Sequence, residues 1–238
     1  MSKTSARDRL LLAGAQLLEQ AEVGDVSTRA ICELAGVQAP TLYHHFGSKQ
    51  RLLDEVVSHG FRDFLATYTA EGASPDPLQA IRDGWDIHVR FGVEHPTFYA
   101  YIYARVNTGA RCGVVSEVEA MLLKALEPAA RQGLLTVTPT VAAAEILAAS
   151  TGVIMTLITT PETERDPLLS TRVRDAIRAA VTVQHPHEGG SQSLTPASAA
   201  VALLSVLDDA DASLSNTERA LLRDWLGRLS IPKEGVSA

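Results

Sequence analysis

The segment from Ser27 to Leu53 constrains the fold more than any other part of the chain, because it predicts two short helices joined by a tight turn. Ser27 is a good N-cap, since its hydroxyl can accept a hydrogen bond from a backbone amide two or three residues later. Gly36 stands where the first helix must end and reverse, a position that often requires a positive φ. A second helix is predicted from about Pro40 to His45. Two short helices around such a turn are typical of a DNA-binding helix-turn-helix.

Residues from about Leu10 to Val56 resemble the DNA-binding domain of the tetracycline-repressor (TetR) family of one-component regulators. The resemblance rests on residues in register with the family pattern, which are Ile31, Ala35, Gly36, Val37, Thr41, Leu42, Tyr43, His45, Phe46, Ser48, Lys49 and Leu52. Cys32, Gln38 and Pro40 depart from the pattern, which has alanine, serine and glycine there. The resemblance implies an all-α protein, with a three-helix helix-turn-helix head over residues 1–50. It also implies a larger helical domain over residues 51–238 that binds an effector and dimerises.

The family motif also implies which side chains contact double-stranded DNA. Phosphate contacts are expected from Thr28, Tyr43 and Lys49, whose hydroxyl and ammonium groups are donors, and Lys49 lies at a helix N-terminus that attracts anions. Arginine can pair with guanine, glutamine with adenine, and an alanine or threonine methyl with the thymine methyl. The side chains expected to read bases are Arg29, Gln38, Ala39, Thr41 and His44. The alternative for each residue is a structural or solvated role.

Charge is distributed unevenly along the chain. The net charge of −7 opposes DNA binding when taken as a whole, but the first 51 residues carry +1 and the remaining 187 carry −8. A near-neutral head on an acidic body predicts weak non-specific binding and reliance on specific docking. No uninterrupted apolar run approaches the roughly 20 residues of a membrane span, and the run after Arg9 is too short for a signal peptide. We therefore expect no membrane partner and a cytoplasmic location, with Cys32 and Cys112 as buried apolar residues.

Pairs of a capping residue and a proline predict helix starts throughout the body. These pairs are Asp76–Pro77, Thr138–Pro139, Asp166–Pro167 and Thr195–Pro196, with further starts at His95–Pro96 and Gly113. A capping box is predicted at Ser215 and Glu218. Because strand alternation is absent and helix signals recur almost to the end, the predicted class is all-α.

Aromatic residues are concentrated between residues 85 and 103, although they make up only 5% of the chain. Aromatic walls with a few polar groups suit a ligand cavity, and methionines supply adaptable lining. The predicted effector pocket for a small organic molecule consists of Trp85, His88, Phe98, Tyr101, Ile102, Arg105, Met121 and Met155. The alternative is an ordinary aromatic core.

Two helices are predicted to form a homodimer. Residues 139–160 are rich in small side chains that let a partner approach closely, and residues 168–184 carry an apolar stripe. By resemblance to the family, both would pack with their symmetry mates as a four-helix bundle. The predicted interface residues are Ala148, Gly152, Val173, Ile177 and Val181. The sequence assigns no role to the last two helices, at about 196–209 and 216–229.

No catalytic motif stands out, and neither a cofactor nor a metal is expected. His185 and His187 lie in a polar loop that we interpret as solvated, and the aspartates at 208–211 lack the spacing of a calcium loop. The predicted function is a ligand-responsive homodimeric transcription regulator, a repressor released from a palindromic operator with half-sites ~34–36 Å apart. The alternatives are an effector-insensitive regulator or an activator, or an enzyme or ligand-sequestering domain with a vestigial DNA-binding head.

Overall fold

The chain is built from helices. The computed structural model describes residues 5–20, 26–68, 74–104, 113–183, 195–208 and 214–231. Within these ranges there is no β-strand, only an isolated bridge between Leu135 and Thr182. The helices are α1 (Ala6–Gln20), α2 (Thr28–Ala35), α3 (Ala39–Phe46), α4 (Lys49–Tyr68), α5 (Pro77–Glu94), α6 (Pro96–Ala104), α7 (Gly113–Arg131), α8 (Pro139–Thr159), α9 (Leu169–Val181), α10 (Pro196–Val206) and α11 (Asn216–Leu229). The predicted all-α class is confirmed.

Most of the predicted helix starts are confirmed by their caps. Thr195 accepts a hydrogen bond from the Ser198 amide at 3.1 Å, and Ser215 and Glu218 form the reciprocal capping box. The prediction at residue 167 is two residues early, since α9 begins at Leu169. Asp166 Oδ1 accepts a hydrogen bond from the Leu168 amide at 2.9 Å, and this bond stabilises the turn that immediately precedes α9.

A first compact unit comprises residues 1–73, 87–118 and 154–164. In it α1 packs against α2 and α4, and α3 packs against α4. The side chains at the centre of these helices have no exposed surface, because apolar positions from all four converge there. They are Leu10, Ile31, Leu42 and Leu52. The predicted domain boundary after residue 50 falls inside α4 and remains a prediction.

A second compact unit comprises residues 74–86, 119–153 and 165–238. In this unit α9 is tied to the middle of α5, since the Trp85 indole donates to Ser170 Oγ at 3.0 Å. Arg174 Nη1 also donates to both carboxylate oxygens of Asp86, at 2.8 and 2.9 Å. These contacts fix which face of α9 is turned inward. Helices α10 and α11 pack against each other.

Helix α8 is unusually apolar. Its 21 residues include an 18-residue window of mean hydropathy 1.9, of which 39% is buried. By length and composition alone it could cross a membrane, although Glu145 interrupts the run, and a core helix of a soluble protein passes the same test. The expectation of no membrane partner therefore stays a prediction. Exposed apolar surface of this kind marks a site of contact with an apolar partner.

Candidate nucleic-acid interface

The turn between α2 and α3 has the geometry that the sequence predicts. Ser27 Oγ accepts from the Ala30 amide at 3.1 Å, which caps α2. Gly36 then adopts φ +62°, and the Val37 amide reaches back to the Cys32 carbonyl at 3.0 Å. A side chain at position 36 would be strained in this left-handed conformation. The glycine therefore sets the direction in which α3 leaves the turn.

Helix α3 buries one face and exposes the other. Leu42 and Phe46, one turn apart, are 0% and 3% exposed and hold α3 on the core. Most of the polar or small residues predicted to meet DNA lie on the open side. Gln38, Ala39, Tyr43 and His44 are exposed, and Thr41 is half-buried. The short helix thus presents amide, hydroxyl and imidazole groups to the surroundings, the chemistry needed to contact base edges and phosphates.

The start of α3 departs from the usual capping arrangement. Gln38 occupies the N-cap position, with ψ at +150°, yet its side chain makes no capping hydrogen bond. Proline follows in the first turn, where a missing amide donor costs nothing. The side-chain amide of Gln38 therefore takes no part in capping α3, as expected for a side chain that reads bases.

Two predicted contact residues also have partners within the head. Arg29 Nε donates to Glu33 Oε1 at 2.7 Å, and both side chains are largely exposed. Lys49 Nζ donates to the Val26 carbonyl at 2.9 Å, which links the start of α4 to the residue before the α2 cap. An ammonium has three donors, so this bond fixes Lys49 and leaves it able to meet a phosphate. Thr28, the first residue of α2, is half-buried.

Two structural features at or next to the head were not predicted from the sequence. Gly47 ends α3 with φ +73°, and its amide donates to the Tyr43 carbonyl at 2.8 Å. The second feature is a polar cluster between α4 and α6, formed by Gln50, Asp54 and Tyr101. The Gln50 amide donates to Asp54 Oδ1 at 2.9 Å and also to the Tyr101 hydroxyl, which donates to Asp54 Oδ1 at 3.3 Å. A glycine after Phe46 was a visible signal for the first feature, but no sequence pattern pairs residues some 50 positions apart.

The residues of the predicted effector pocket lie in both compact units. Within the first unit, Phe98 is 4% exposed, while His88, Tyr101, Ile102 and Met155 are partly buried. Burial lowers the pKa of His88 to about 4, so its imidazole is neutral at physiological pH. Its ring lies 5.8 Å from that of Tyr99. This unit therefore holds a neutral polar group among aromatic rings.

The other predicted pocket residues have different surroundings. Trp85, in the second unit, is 3% exposed, and its indole donor is engaged by Ser170. Met121 is 45% exposed. Arg105 and Cys112 lie outside the described residues, whereas Cys32 is buried, and burial raises the pKa of its thiol. Whether this set forms one pocket stays a prediction.

The predicted dimer residues all lie in the second unit. Ala148 and Gly152 are exposed on α8, on a stripe with Val141 and Ala144. Val173 and Ile177 of α9 are partly buried, whereas Val181 is 0% exposed and offers no surface to a partner. Backbone hydrogen bonds tie the end of α9 to residues 134–136; in one of them the Thr136 amide donates to the Val181 carbonyl at 2.9 Å.

Within the described ranges, no group of three or more histidine, cysteine or acidic side chains could hold a metal.

Comparison with known proteins supports this description of the head. Residues 10–56 match the model of the bacterial regulatory proteins of the tetR family. A 61-residue stretch is 38% identical to the HTH-type transcriptional repressor KstR2 of Mycolicibacterium smegmatis, over 26% of this chain and 28% of that protein. The chain thus matches little more than a quarter of the length of this relative.

Solved structures resemble the chain over a longer span. A TetR-family transcription regulator from Marinobacter aquaeolei VT8 superposes with a TM-score of 0.55 and 19% identity, over 75% of this chain and 96% of the other. The fatty acid degradation regulator FadR of Bacillus halodurans gives a TM-score of 0.59 and 14% identity, over 75% and 97%. At such identities the likeness concerns the fold alone.

Proposed function

We propose that the chain, whose residues 10–56 match the tetR-family model, is a TetR-family transcription regulator: a homodimeric repressor that leaves a palindromic operator when a small organic effector binds. The observation that carries this proposal is the exposed polar face of α3. That helix is held on the core by Leu42 and Phe46, so that Gln38 and His44 face outward. The curated relative is named a repressor, which favours repression over activation.

DNA docking follows from the arrangement of donors around α3. The exposed face of α3 enters the major groove, while the Tyr43 hydroxyl and the Lys49 ammonium contact phosphates on either side. Phosphate contacts fix the register, and Gln38, Ala39, Thr41, His44 and Arg29 supply the readout of bases. Because residues 1–51 carry a net charge of only +1, specific contacts rather than long-range attraction dominate the affinity.

Dimerisation supplies the second half-site. The stripe of Val141, Ala144, Ala148 and Gly152 on α8 is exposed in the single chain and consists of small or apolar side chains. Small residues allow two helices to approach closely, and an isologous contact buries the same stripe of both copies. Val173 and Ile177 of α9 extend the interface. Two heads held in this way bind half-sites ~34–36 Å apart.

The effector binds among the aromatic side chains of α5 and α6 and acts on the head through α4. The neutral His88 and the rings nearby offer an apolar site with a polar group. The hydrogen bonds of Tyr101 to Gln50 and Asp54 join α6 to the first turns of α4, directly after Lys49. An effector that favours one position of α6 therefore shifts the head, and reciprocity requires DNA to weaken effector binding equally. We place this regulator, which catalyses no reaction, in the cytoplasm.

The test is a footprint on genomic DNA flanking the gene, followed by titration of the protected fragment at several salt concentrations. The wild type is expected to protect a palindrome. Lys49→Ala is expected to weaken binding to every sequence and to reduce the salt slope by about one unit. The matched control is Lys124→Ala, which removes the same charge from an exposed position of α7 and should leave the slope unchanged. If no fragment is protected, the regulator proposal is wrong.

A further inference from the structure

A groove lies in the first compact unit between α1, α4 and the corner where α5 meets α6. Its volume is about 320 Å³, within the range of small-molecule sites. Phe91 and Phe98 supply a buried aromatic floor, and Leu12 of α1 supplies an apolar wall that is 65% exposed. At Gly60 of α4 a Cβ atom would lie 3.3 Å from Phe98 Cε1, so the glycine leaves room beside that ring.

The charged groups around this groove are acidic. Asp8 and Glu19 of α1 and Asp63 of α4 line it, together with two histidines, and no lysine or arginine is among the described lining residues. Asp8 and Glu19 lie eleven residues apart on one helix, about 16 Å along its axis. Asp8 Oδ2 accepts hydrogen bonds from the Ser5 amide and hydroxyl at the start of α1, whereas Glu19 and Asp63 are exposed along the rim. The negative charge is therefore spread along an apolar cleft.

The aromatic floor favours the same kind of ligand as the rim. The His95 ring lies 5.3 Å from Phe91 and 5.8 Å from Phe98, so three rings adjoin at one end of the groove. Phenyl faces attract organic cations through the ring quadrupole, most strongly when the cation is partly desolvated. An anionic ligand would instead meet three carboxylates, and the described lining residues include no lysine or arginine to balance them; one histidine nitrogen, His59 Nε2, lies 3.4 Å from Asp63 Oδ2.

We propose that this groove binds an amphipathic organic cation, an ammonium joined to an apolar body. The apolar body rests on Phe91, Phe98 and Leu12, and the ammonium lies toward Asp63 and Glu19. The groove differs from the effector pocket proposed above, because α1 of the DNA-binding head forms one of its walls. Of the predicted pocket residues, Phe98 also lines the groove. Binding here can be measured whether or not the chain represses transcription.

The experiment titrates the full chain with benzyltriethylammonium by isothermal calorimetry and repeats the titration with benzylsulfonate, an anion that also carries a benzyl group. For so small a probe we expect a dissociation constant of about 1 mM or tighter. The anion is expected to bind at least about tenfold more weakly. Absent binding, or equal affinity for both probes, would overturn the proposal.

Two substitutions locate the site. Leu12→Lys places a positive charge in the groove at an exposed position, so the fold should persist while cation binding falls by more than about tenfold. Asp63→Asn should weaken the cation about threefold. The matched control is Glu164→Gln, which removes an exposed carboxylate outside the groove and should change nothing. Cation binding that survives Leu12→Lys would place the ligand elsewhere and refute the site.

Discussion

The exposed faces of α3 and α8 differ in almost every property. Helix α3 has 8 residues, ends at a glycine with positive φ, and presents Tyr43 and His44 together with its N-cap residue Gln38. Helix α8 has 21 residues and presents Val141, Ala148 and Gly152. The first face carries hydrogen-bond donors and acceptors on a short rod. The second is a long, smooth apolar stripe.

This difference bears on what each face can bind. A polar face costs little free energy when it is exposed to water, so it can remain exposed until it binds a partner that offers matching polar groups. An apolar stripe gains by leaving water and needs only shape complementarity, which an identical helix supplies. Thus the polar face of α3 suits a partner that binds reversibly, and the apolar face of α8 suits a permanent partner. The following substitutions test that division.

The largest effect is expected from Gly152→Asp. At Gly152 a Cβ atom would have no neighbour within 4 Å in the single chain, so the aspartate disturbs no packing there. In a dimer it would bury an unpaired charge, which costs about 3–5 kcal/mol. Sedimentation should show monomers at concentrations where the wild type is dimeric, and operator affinity should fall with them.

The control for this change is Gly152→Ala. Alanine has more helix propensity than glycine and adds a single methyl group, so the dimer should persist and thermal stability should hold or rise. A Gly152→Asp protein that still sediments as a dimer would place the interface on another surface.

A smaller and more selective effect is expected from Gln38→Ala on the α3 face. Since the Gln38 side chain makes no capping bond, its removal should leave stability unchanged. Loss of a bidentate contact to adenine costs about 1–3 kcal/mol of discrimination at one base pair. Binding to a library of operator variants should therefore lose preference at one position per half-site.

Gln16→Ala is the matched control for that experiment, because Gln16 is an exposed glutamine of α1. It should leave the preferences of the wild type intact. If Gln38→Ala lowers the affinity for all sequences equally, Gln38 positions the head instead of reading a base.

The two faces also differ in how well their structures can be predicted from the sequence. In the head, local rules suffice: Ser27 caps, Gly36 turns, and Leu42 and Phe46 are spaced to be buried. The helix starts of the body are equally local, which is why prolines and capping residues marked them. Burial on α9 is not local, since periodicity alone does not show that Val181 is 0% exposed in the single chain.

Tyr101 shows where the sequence stops being informative. Its position among aromatic residues of α6 favours a pocket residue, but its hydroxyl bonds Gln50 and Asp54 of α4. Such a contact depends on how two helices distant in sequence are placed together. The same holds for the bond from Lys49 to the Val26 carbonyl. Motif matching identifies the side chain, and only the fold identifies its partner.

The smallest effect is expected from Tyr101→Phe, which tests whether the α3 face is coupled to the body. The substitution keeps the ring and removes the hydroxyl that connects α6 to the start of α4. Loss of these hydrogen bonds should lower the free energy of unfolding by about 0.5–1.5 kcal/mol in chemical denaturation. Because α4 follows α3 directly, operator affinity should fall by about twofold to tenfold, measured by fluorescence anisotropy.

The matched control is Tyr103→Phe on the same helix, which preserves the ring contact with Tyr99 at 4.9 Å between centroids. It should leave operator affinity unchanged. If both variants bind operator equally well, the cluster of Gln50, Asp54 and Tyr101 stabilises the fold without influencing the head. The faces of α3 and α8 would then act independently, and an effector would have to reach the head through other contacts of α4 or α1. A selective loss in Tyr101→Phe would instead mean that the polar face responds to the position of α6 even before any effector is present.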